Sequence, residues 1–273
     1  MIAFPGCKIN LGLNITQKLP NGYHTIESIF VPVPLSDILE IIAIPKSNNS
    51  HFIYTGLSIP GAPSDNIIKT AYDLLNSKFR LPSIKAQLHK IVPMGAGLGG
   101  GSADASAMLY MLNKLFNLEI PESELLNLAG SLGADCPFFI KNKPAFVSGT
   151  GDKFETINPG LSGKKLLLVY PNIHVGTSKA FKNIEPRKPK DNLNHIINHY
   201  ALSDWKFHIK NDFEPSVFHN YPELGRIKEK LYKMGADYAS LSGSGSTVYG
   251  IFNEQIPKFP KSFETYFTFS DRF

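Results

Sequence analysis

Cysteine is scarce: the 273 residues hold two, Cys7 and Cys136, far apart in the chain. That excludes a disulfide framework and a cysteine-rich zinc site, and it suits a reducing compartment such as the cytoplasm. Long apolar runs are missing too. No stretch approaches the roughly 20 residues of a membrane span, and no basic region precedes an apolar one at the N-terminus, so a soluble cytoplasmic protein without a membrane partner is expected. Neither an internal repeat nor a heptad pattern is visible. No one sign of charge dominates, since 28 Lys and Arg face 23 Asp and Glu for a net charge of +5. That modest excess suits polyanionic small molecules, and a solvated lysine surface gives the same balance. The densest basic cluster, Lys179, Lys182, Arg187, Lys188 and Lys190, is broken by Pro186 and Pro189. Without interleaved aromatics it reads as an exposed connection, and no nucleic-acid partner is expected.

What is present is enough apolar sequence for two cores. Hydrophobic residues make up 42% of the chain and charged ones 19%, and domains usually run to about 100–150 residues. Two turn clusters, Ser148-Gly149-Thr150-Gly151-Asp152 and Asn158-Pro159-Gly160, precede an apolar strand at Leu166 to Tyr170. They favour a division into residues 1–155 and 156–273. Strands and helices mix in both halves, which predicts an α+β architecture with largely antiparallel sheets.

Glycine concentrates at one place. Pro93-Met94-Gly95-Ala96-Gly97-Leu98-Gly99-Gly100-Gly101-Ser102 packs five glycines into seven residues and runs into a helix-forming segment. Ala105, Met108, Leu109, Leu112, Leu115 and Phe116 recur at intervals of three and four, which predicts a helix with one buried face and Ser102 as its N-cap. Upstream, Ile84, Ala86 and Leu88 alternate with Lys85, Gln87 and His89, which predicts a strand with one wet face. Strand, glycine loop and helix N-terminus together make an anion cradle, because glycine N–H groups can approach a ligand closely and the helix end adds partial positive charge. A P-loop would need lysine after the second glycine of G-x-x-x-x-G-K-[ST], and Gly101 stands there. Gly95-x-Gly97-x-x-Gly100 satisfies the dinucleotide fingerprint literally, yet a parallel strand buried on both faces should not alternate with Lys, Gln and His. A glycine-rich turn without a ligand is the remaining plain alternative.

The segment resembles the P-x-G-x-G-L-G-S/G-S/G-S/A loop of the galactokinase, homoserine kinase, mevalonate kinase and phosphomevalonate kinase superfamily. Further segments match in order. Ala3-Phe4-Pro5-Gly6-Cys7-Lys8-Ile9-Asn10-Leu11 and Asn21-Gly22-Tyr23-His24-Thr25-Ile26-Glu27-Ser28 are similar to the signatures of its bacterial branch that acts on a cytidine diphosphate-linked methylerythritol in isoprenoid synthesis. Gly133-Ala134-Asp135-Cys136-Pro137-Phe138-Phe139, Asn211-Asp212-Phe213-Glu214 and Leu241-Ser242-Gly243-Ser244-Gly245 continue the likeness, which runs from about residue 3 to about residue 252. Alternation alone puts Lys8 and Asn10 on one strand face. Asn21 stands where the family has Asp, and either residue suits a turn. Ala96 and Cys7 are small departures, and the last twenty residues match no motif.

The resemblance implies a two-domain kinase fold, with an N-terminal domain like the second domain of ribosomal protein S5 and a ferredoxin-like C-terminal domain. It implies ATP with Mg²⁺ as cofactors, a small-molecule substrate, and a monomer or weak homodimer. Lys90, Pro93, Gly95, Gly97, Leu98, Gly99, Gly100, Gly101 and Ser102 are the expected nucleotide contacts, Ser102 being the one residue that analogy brings near the metal; no dedicated metal ligand is legible. For Asp135, expected between a helix end and an apolar strand, the resemblance implies that it takes the proton from the accepting hydroxyl, and for Lys8 that it steadies the developing charge. It likewise implies that Asn10, Tyr23, His24, Thr177 and Phe181 bind the substrate, with Tyr23 and Phe181 on either side of the cytosine. A sister kinase would keep the glycine loop without needing Tyr23 and His24. A non-catalytic nucleotide-binding regulator would be expected to lose Lys8 or Asp135, and both are intact.

Overall fold

A computed structural model describes residues 1–176, 180–181 and 184–273. The chain divides into two compact units that interleave along the sequence. The first gathers Met1–Cys7, Leu35–Met94 and Gly99–Lys143, the second Lys8–Pro34, Gly95–Leu98 and Pro144–Phe273. No helix among the described residues is long and apolar enough to cross a membrane.

In the first unit, β1 (Ile2–Ala3), β4 (Ile38–Ala43), β5 (His51–Gly56) and β6 (Ile84–Lys90) form a sheet in the order β1-β4-β6-β5. β6 is antiparallel to β4, from Ile38 opposite His89 to Ala43 opposite Ile84, and parallel to β5. Its alternation is the expected one: Ile84, Ala86 and Leu88 are buried, Lys85 and His89 exposed. These inward residues pack with Leu39 and Ile41 against Ala105, Met108, Leu109 and Leu112 of helix α2 (Gly100–Leu115). α1 (Ile67–Phe79) starts where the Asn66 side chain accepts the N–H of Ile68, and α3 (Glu122–Leu132) stops at Gly133.

Two local expectations are corrected. α2 begins inside the glycine run, with Gly99 (φ +71°) as its cap, and Ser102 lies within the first turn. The Gly99 carbonyl already accepts the N–H of Ala103 at 3.0 Å, because glycine takes the left-handed entry that Ser102 would resist. The apolar run after Asp135 is a short helix, α4 (Cys136–Lys141), rather than a strand. Apolar character alone does not separate the two, and proline in the first helical turn favours the helix.

The second unit holds two sheets. β2 (Cys7–Lys18, in this unit from Lys8), β3 (His24–Val33), β7 (Ala145–Ser148) and β8 (Lys153–Thr156) lie in the order β2-β3-β7-β8. β9 (Lys165–Tyr170), β10 (Tyr238–Leu241), β11 (Val248–Phe252) and β12 (Phe267–Arg272) lie in the order β10-β11-β9-β12, every pair antiparallel. The C-terminal residues that match no motif thus supply an edge strand. Leu167, Val169, Ala239, Leu241 and Val248 pack with Leu13, Ile15 and Phe213 and with Leu224, Ile227 and Leu231 of the helix Pro222–Lys233.

Candidate active site

β6 delivers the chain to the glycine loop, and its last residue has a use the sequence did not suggest. Lys90 was expected to contact nucleotide; instead its side chain is fully buried within the first unit and donates to Asp37 and Asp104. Two carboxylates hold the ammonium, so it is directed inward. Pro93 is buried just beyond it. The first turn of α2 leaves the N–H groups of Gly100, Gly101 and Ser102 without acceptors inside the helix. A Cβ at Gly101 would meet nothing within 4 Å, whereas one at Gly100 would lie 2.9 Å from Val92 Cγ1. One side of this turn is therefore packed and the other open, as a cradle for phosphate oxygens requires.

Asp135 is half-buried at the entry to α4, and its charge helps to raise the pKa of the neighbouring Cys136 thiol, which burial pushes up first. Ser106 Oγ donates to the Cys136 carbonyl at 2.7 Å and ties this entry to α2. Also in the first unit, a cavity of about 180 Å³ opens beside the exit of β6, lined by Tyr54, Leu57, Ile59, Pro63 and Asn66 among others. Leu57 N–H donates to the Lys90 carbonyl at 2.8 Å, so the cavity wall and the start of the loop share one strand end.

The remaining loop residues, Gly95–Leu98, belong to the second unit, where Lys8 and Asn10 also stand. Lys8 Nζ donates to Asn10 Oδ1 at 2.6 Å and lies 4.4 Å from the centroid of the Phe30 ring, with only 4% of the residue exposed. Asn10 in turn donates to Ser28 Oγ at 2.9 Å. The two share a strand face, as alternation predicts. Lys8 N–H donates to the Leu98 carbonyl at 2.9 Å, which sets the loop beside them. Gly97 (φ +77°) could not carry a side chain, because its Cβ would run into the Ser242 carbonyl oxygen. Ala96 is tolerated because only its backbone is used: its carbonyl accepts the Thr247 N–H at 3.1 Å and the residue is buried.

At the β2–β3 turn, Gly22 (φ +85°) and the Asn21 Oδ1 that accepts the Tyr23 N–H at 3.1 Å do the work expected of an Asp-Gly turn. Tyr23 is 68% exposed. His24 stacks on Phe181, with ring centroids 4.9 Å apart and planes 22° from parallel, and Phe181 meets Phe213 edge-on at 4.8 Å. Burial, and the positive charge of Lys18, hold the His24 pKa below its ordinary value, so the ring is neutral near pH 7. The structure brings His24 and Phe181 together, with Tyr23 adjacent in the chain; Thr177 lies outside the described residues. So do Lys179 and Lys182 of the basic cluster, whose Arg187, Lys188 and Lys190 are exposed and wall a separate cavity of about 340 Å³.

Asn211 and Glu214, matched in sequence as a motif without a stated role, act as structural braces. Asn211 Nδ2 donates to the Leu241 and Gly243 carbonyls at 2.9 and 2.8 Å, while its Oδ1 accepts the Phe213 N–H. Glu214 accepts Ser240 Oγ and Leu241 N–H, both at 3.0 Å, and pairs with Lys228 at 2.6 Å. The Asn-Asp-Phe-Glu motif thus braces the Ser-Gly hairpin. His174 lies close to Gly95: a Cβ there would sit 2.8 Å from its Nδ1.

The family models for the GHMP kinases N terminal domain and GHMP kinases C terminal match residues 66–143 and 191–259. The chain is 47% identical over 270 residues to the 4-diphosphocytidyl-2-C-methyl-D-erythritol kinase of Bacteroides fragilis (strain YCH46), covering 98% of each chain. It is 43% identical to the enzyme of that name from Cytophaga hutchinsonii, covering 95% of each. Among solved structures, a 4-(cytidine 5'-diphospho)-2C-methyl-D-erythritol kinase superposes with a TM-score of 0.76 at 26% identity, covering 92% of this chain and 90% of that one. The Methanococcus jannaschii mevalonate kinase superposes with a TM-score of 0.69 at 17% identity over 100% of this chain and 98% of its own, a likeness of fold alone.

Proposed function

The chain belongs to the GHMP kinases and, among them, to the 4-diphosphocytidyl-2-C-methyl-D-erythritol kinases, and we propose on that ground that it phosphorylates the 2-hydroxyl of 4-diphosphocytidyl-2-C-methyl-D-erythritol with ATP. The observation that carries the substrate is the 47% identity extending over 98% of both chains. The reaction belongs to the non-mevalonate route to isoprenoids. We place the boundary between the two family domains near residue 155; the matched segments 66–143 and 191–259 lie on either side of it, while the compact units themselves interleave. The protein acts in the cytoplasm as a monomer or weak homodimer.

In this reading Gly95, Gly97, Leu98, Gly99, Gly100, Gly101 and Ser102 wrap the phosphates of ATP, and the N–H groups of the first α2 turn receive their charge. Adenine enters the cavity beside the β6 exit, where Tyr54, Leu57 and Ile59 supply apolar walls and Asn66 a polar edge. Mg²⁺ accompanies ATP, offsetting charge between its β- and γ-phosphates; the described residues hold no group of three metal-ligating side chains. The cytosine slides between Tyr23 and Phe181, and neutral His24 hydrogen-bonds its edge after leaving its stack on Phe181. Asn10 holds the methylerythritol chain, with Thr177 as a further contact.

Asp135 takes the proton from the accepting hydroxyl as the hydroxyl oxygen attacks the γ-phosphorus, the bond from that phosphorus to the β,γ-bridging oxygen breaks and ADP leaves, and Lys8 stabilises the charge that develops on the transferred group. Positioning supplies most of the acceleration in such a transfer, and the carboxylate adds about a hundredfold to ten-thousandfold. The test is phosphorus NMR of wild type and Asp135→Asn with Mg-ATP, offering the cytidyl substrate, homoserine and mevalonate. A new phosphomonoester signal with the cytidyl substrate alone, largely lost in the variant, is expected. Transfer to homoserine or mevalonate instead would move the protein to a sister kinase, and no transfer by folded, ATP-binding protein would leave the regulator.

A further inference from the structure

The first unit buries one lysine with two aspartates. Lys90 Nζ, at the end of β6, donates to Asp37 Oδ2 and, at 2.8 Å, to Asp104 Oδ2 on α2; Lys90 and Asp37 side chains are fully buried and that of Asp104 is 2% exposed. Asp37 Oδ1 accepts the N–H groups of Ile91 and Val92, the latter at 2.8 Å. The segment before β4, the exit of β6 and the start of α2 therefore converge on one ammonium. Gly100 closes the contact, since a Cβ there would lie 3.2 Å from Lys90 Nζ. Stability alone is a poor reason for such a cluster, because apolar side chains of similar volume often serve as well. Hydrogen-bonded charges supply direction, which apolar packing does not.

We propose that Asp37, Lys90 and Asp104 form a positioning element for the nucleotide, holding the first turn of α2 against the β6 exit so that the loop N–H groups are aimed before the phosphates arrive. The proposal rests on the kinase reading above. Charge balance supports it. Burial pushes the Asp104 carboxyl up to about 8, with Lys90 opposing and Asp37 reinforcing the rise. Burial also works against the Lys90 charge, but Asp104 and Asp37 together more than offset it and raise the pKa of the ammonium. With one proton retained the cluster is neutral overall beneath the cradle. Above about pH 8 Asp104 loses that proton and the buried cluster carries a net negative charge beneath the cradle.

The experiment measures binding of a non-hydrolysable ATP analogue by calorimetry, and KM for both substrates, in wild type, Asp104→Ala and Asp104→Asn from pH 6.5 to 9. Asp104→Ala should weaken the analogue and raise KM for ATP about tenfold, the scale of a mispositioned binding group, with KM for the cytidyl substrate within about twofold. Asp104→Asn keeps the shape and has no proton to lose, so it should restore affinity near pH 7. Wild-type affinity should decline above pH 8 while that of Asp104→Asn stays level. Wild-type analogue affinity in folded Asp104→Ala, equal losses for both substrates, or superimposable pH profiles would each overturn the proposal. If Asp104→Ala does not fold, the Asp104→Asn profile decides. Analogue binding without phosphoryl transfer in wild type would sink the kinase reading and leave these binding arms intact.

Discussion

Ser242 donates its hydroxyl to the Gly97 carbonyl at 2.8 Å, joining the Ser-Gly hairpin to the glycine loop across 145 residues of chain. The Ser242 carbonyl oxygen lies so near that Gly97 has no room for a methyl group on that side. Gly97→Ala should therefore cost about 1–3 kcal/mol through left-handed strain and collision, lowering Tm by about 2–4 °C per kcal/mol for a chain of this size. Gly101→Ala is the contrast, with open space around its Cβ. It should melt like wild type yet bind ATP more weakly, as its methyl projects toward the phosphates. Differential scanning calorimetry with ATP titration separates the two, and equal melting points would contradict the packing argument.

Asn211 anchors the Ser-Gly hairpin by satisfying the Leu241 and Gly243 carbonyls and the Phe213 N–H. Truncating it leaves buried polar groups unpaired at about 1–3 kcal/mol each. Asn211→Ala should lose at least about 3 kcal/mol in urea unfolding, more than the exposed Asn253→Ala, and a loss under about 0.5 kcal/mol would show that water replaces the amide.

Tyr23 contributes little to folding because it is 68% exposed. Tyr23→Ala should leave Tm nearly unchanged while weakening the cytidyl substrate by about 1–3 kcal/mol, the range for stacking a base on an aromatic ring. KM for ATP should not move. A parallel rise in both KM values would mean that the turn shapes the site rather than stacking the base.

His24 provides a pH signature. Its folded pKa lies below the ordinary histidine value of 6.5, chiefly through burial and then through Lys18. The unfolded chain thus binds the proton more readily. The stability this confers is fully present above pH 6.5 and is lost as pH falls from there toward the folded pKa. Thermal melts of wild type should lose part of their stability over that interval, and His24→Gln should remove this part of the pH dependence. Identical pH profiles for the two proteins would exclude His24 as the group responsible.

Local signals carried much of this. The alternation of Ile84, Ala86 and Leu88 and the three-and-four spacing on α2 were legible because each depends on one face meeting one core. The start of α2 was misread as Ser102 because serine is the commoner cap, and nothing nearby in sequence reveals that Gly99 already has the left-handed entry. The segment after Asp135 was misread as strand because six residues rich in apolar side chains fit either period. The partners of the Lys90 side chain were not legible for a different reason: they lie 53 and 14 residues away.

By itself the sequence determined the strand, loop and helix order, the glycines that admit close backbone approach, the Asn-Gly turn presenting Tyr23 and the family to which the chain belongs, because each is written in neighbouring residues. Tertiary structure alone decided that Lys90 faces two buried carboxylates, that Asn211 and Ser242 brace distant glycines, that His24 lies on Phe181 and that the C-terminal residues close a sheet as β12. The reason is physical: a charge or an amide takes its role from whatever partner folding brings within hydrogen-bonding distance, and sequence separation carries no record of that partner.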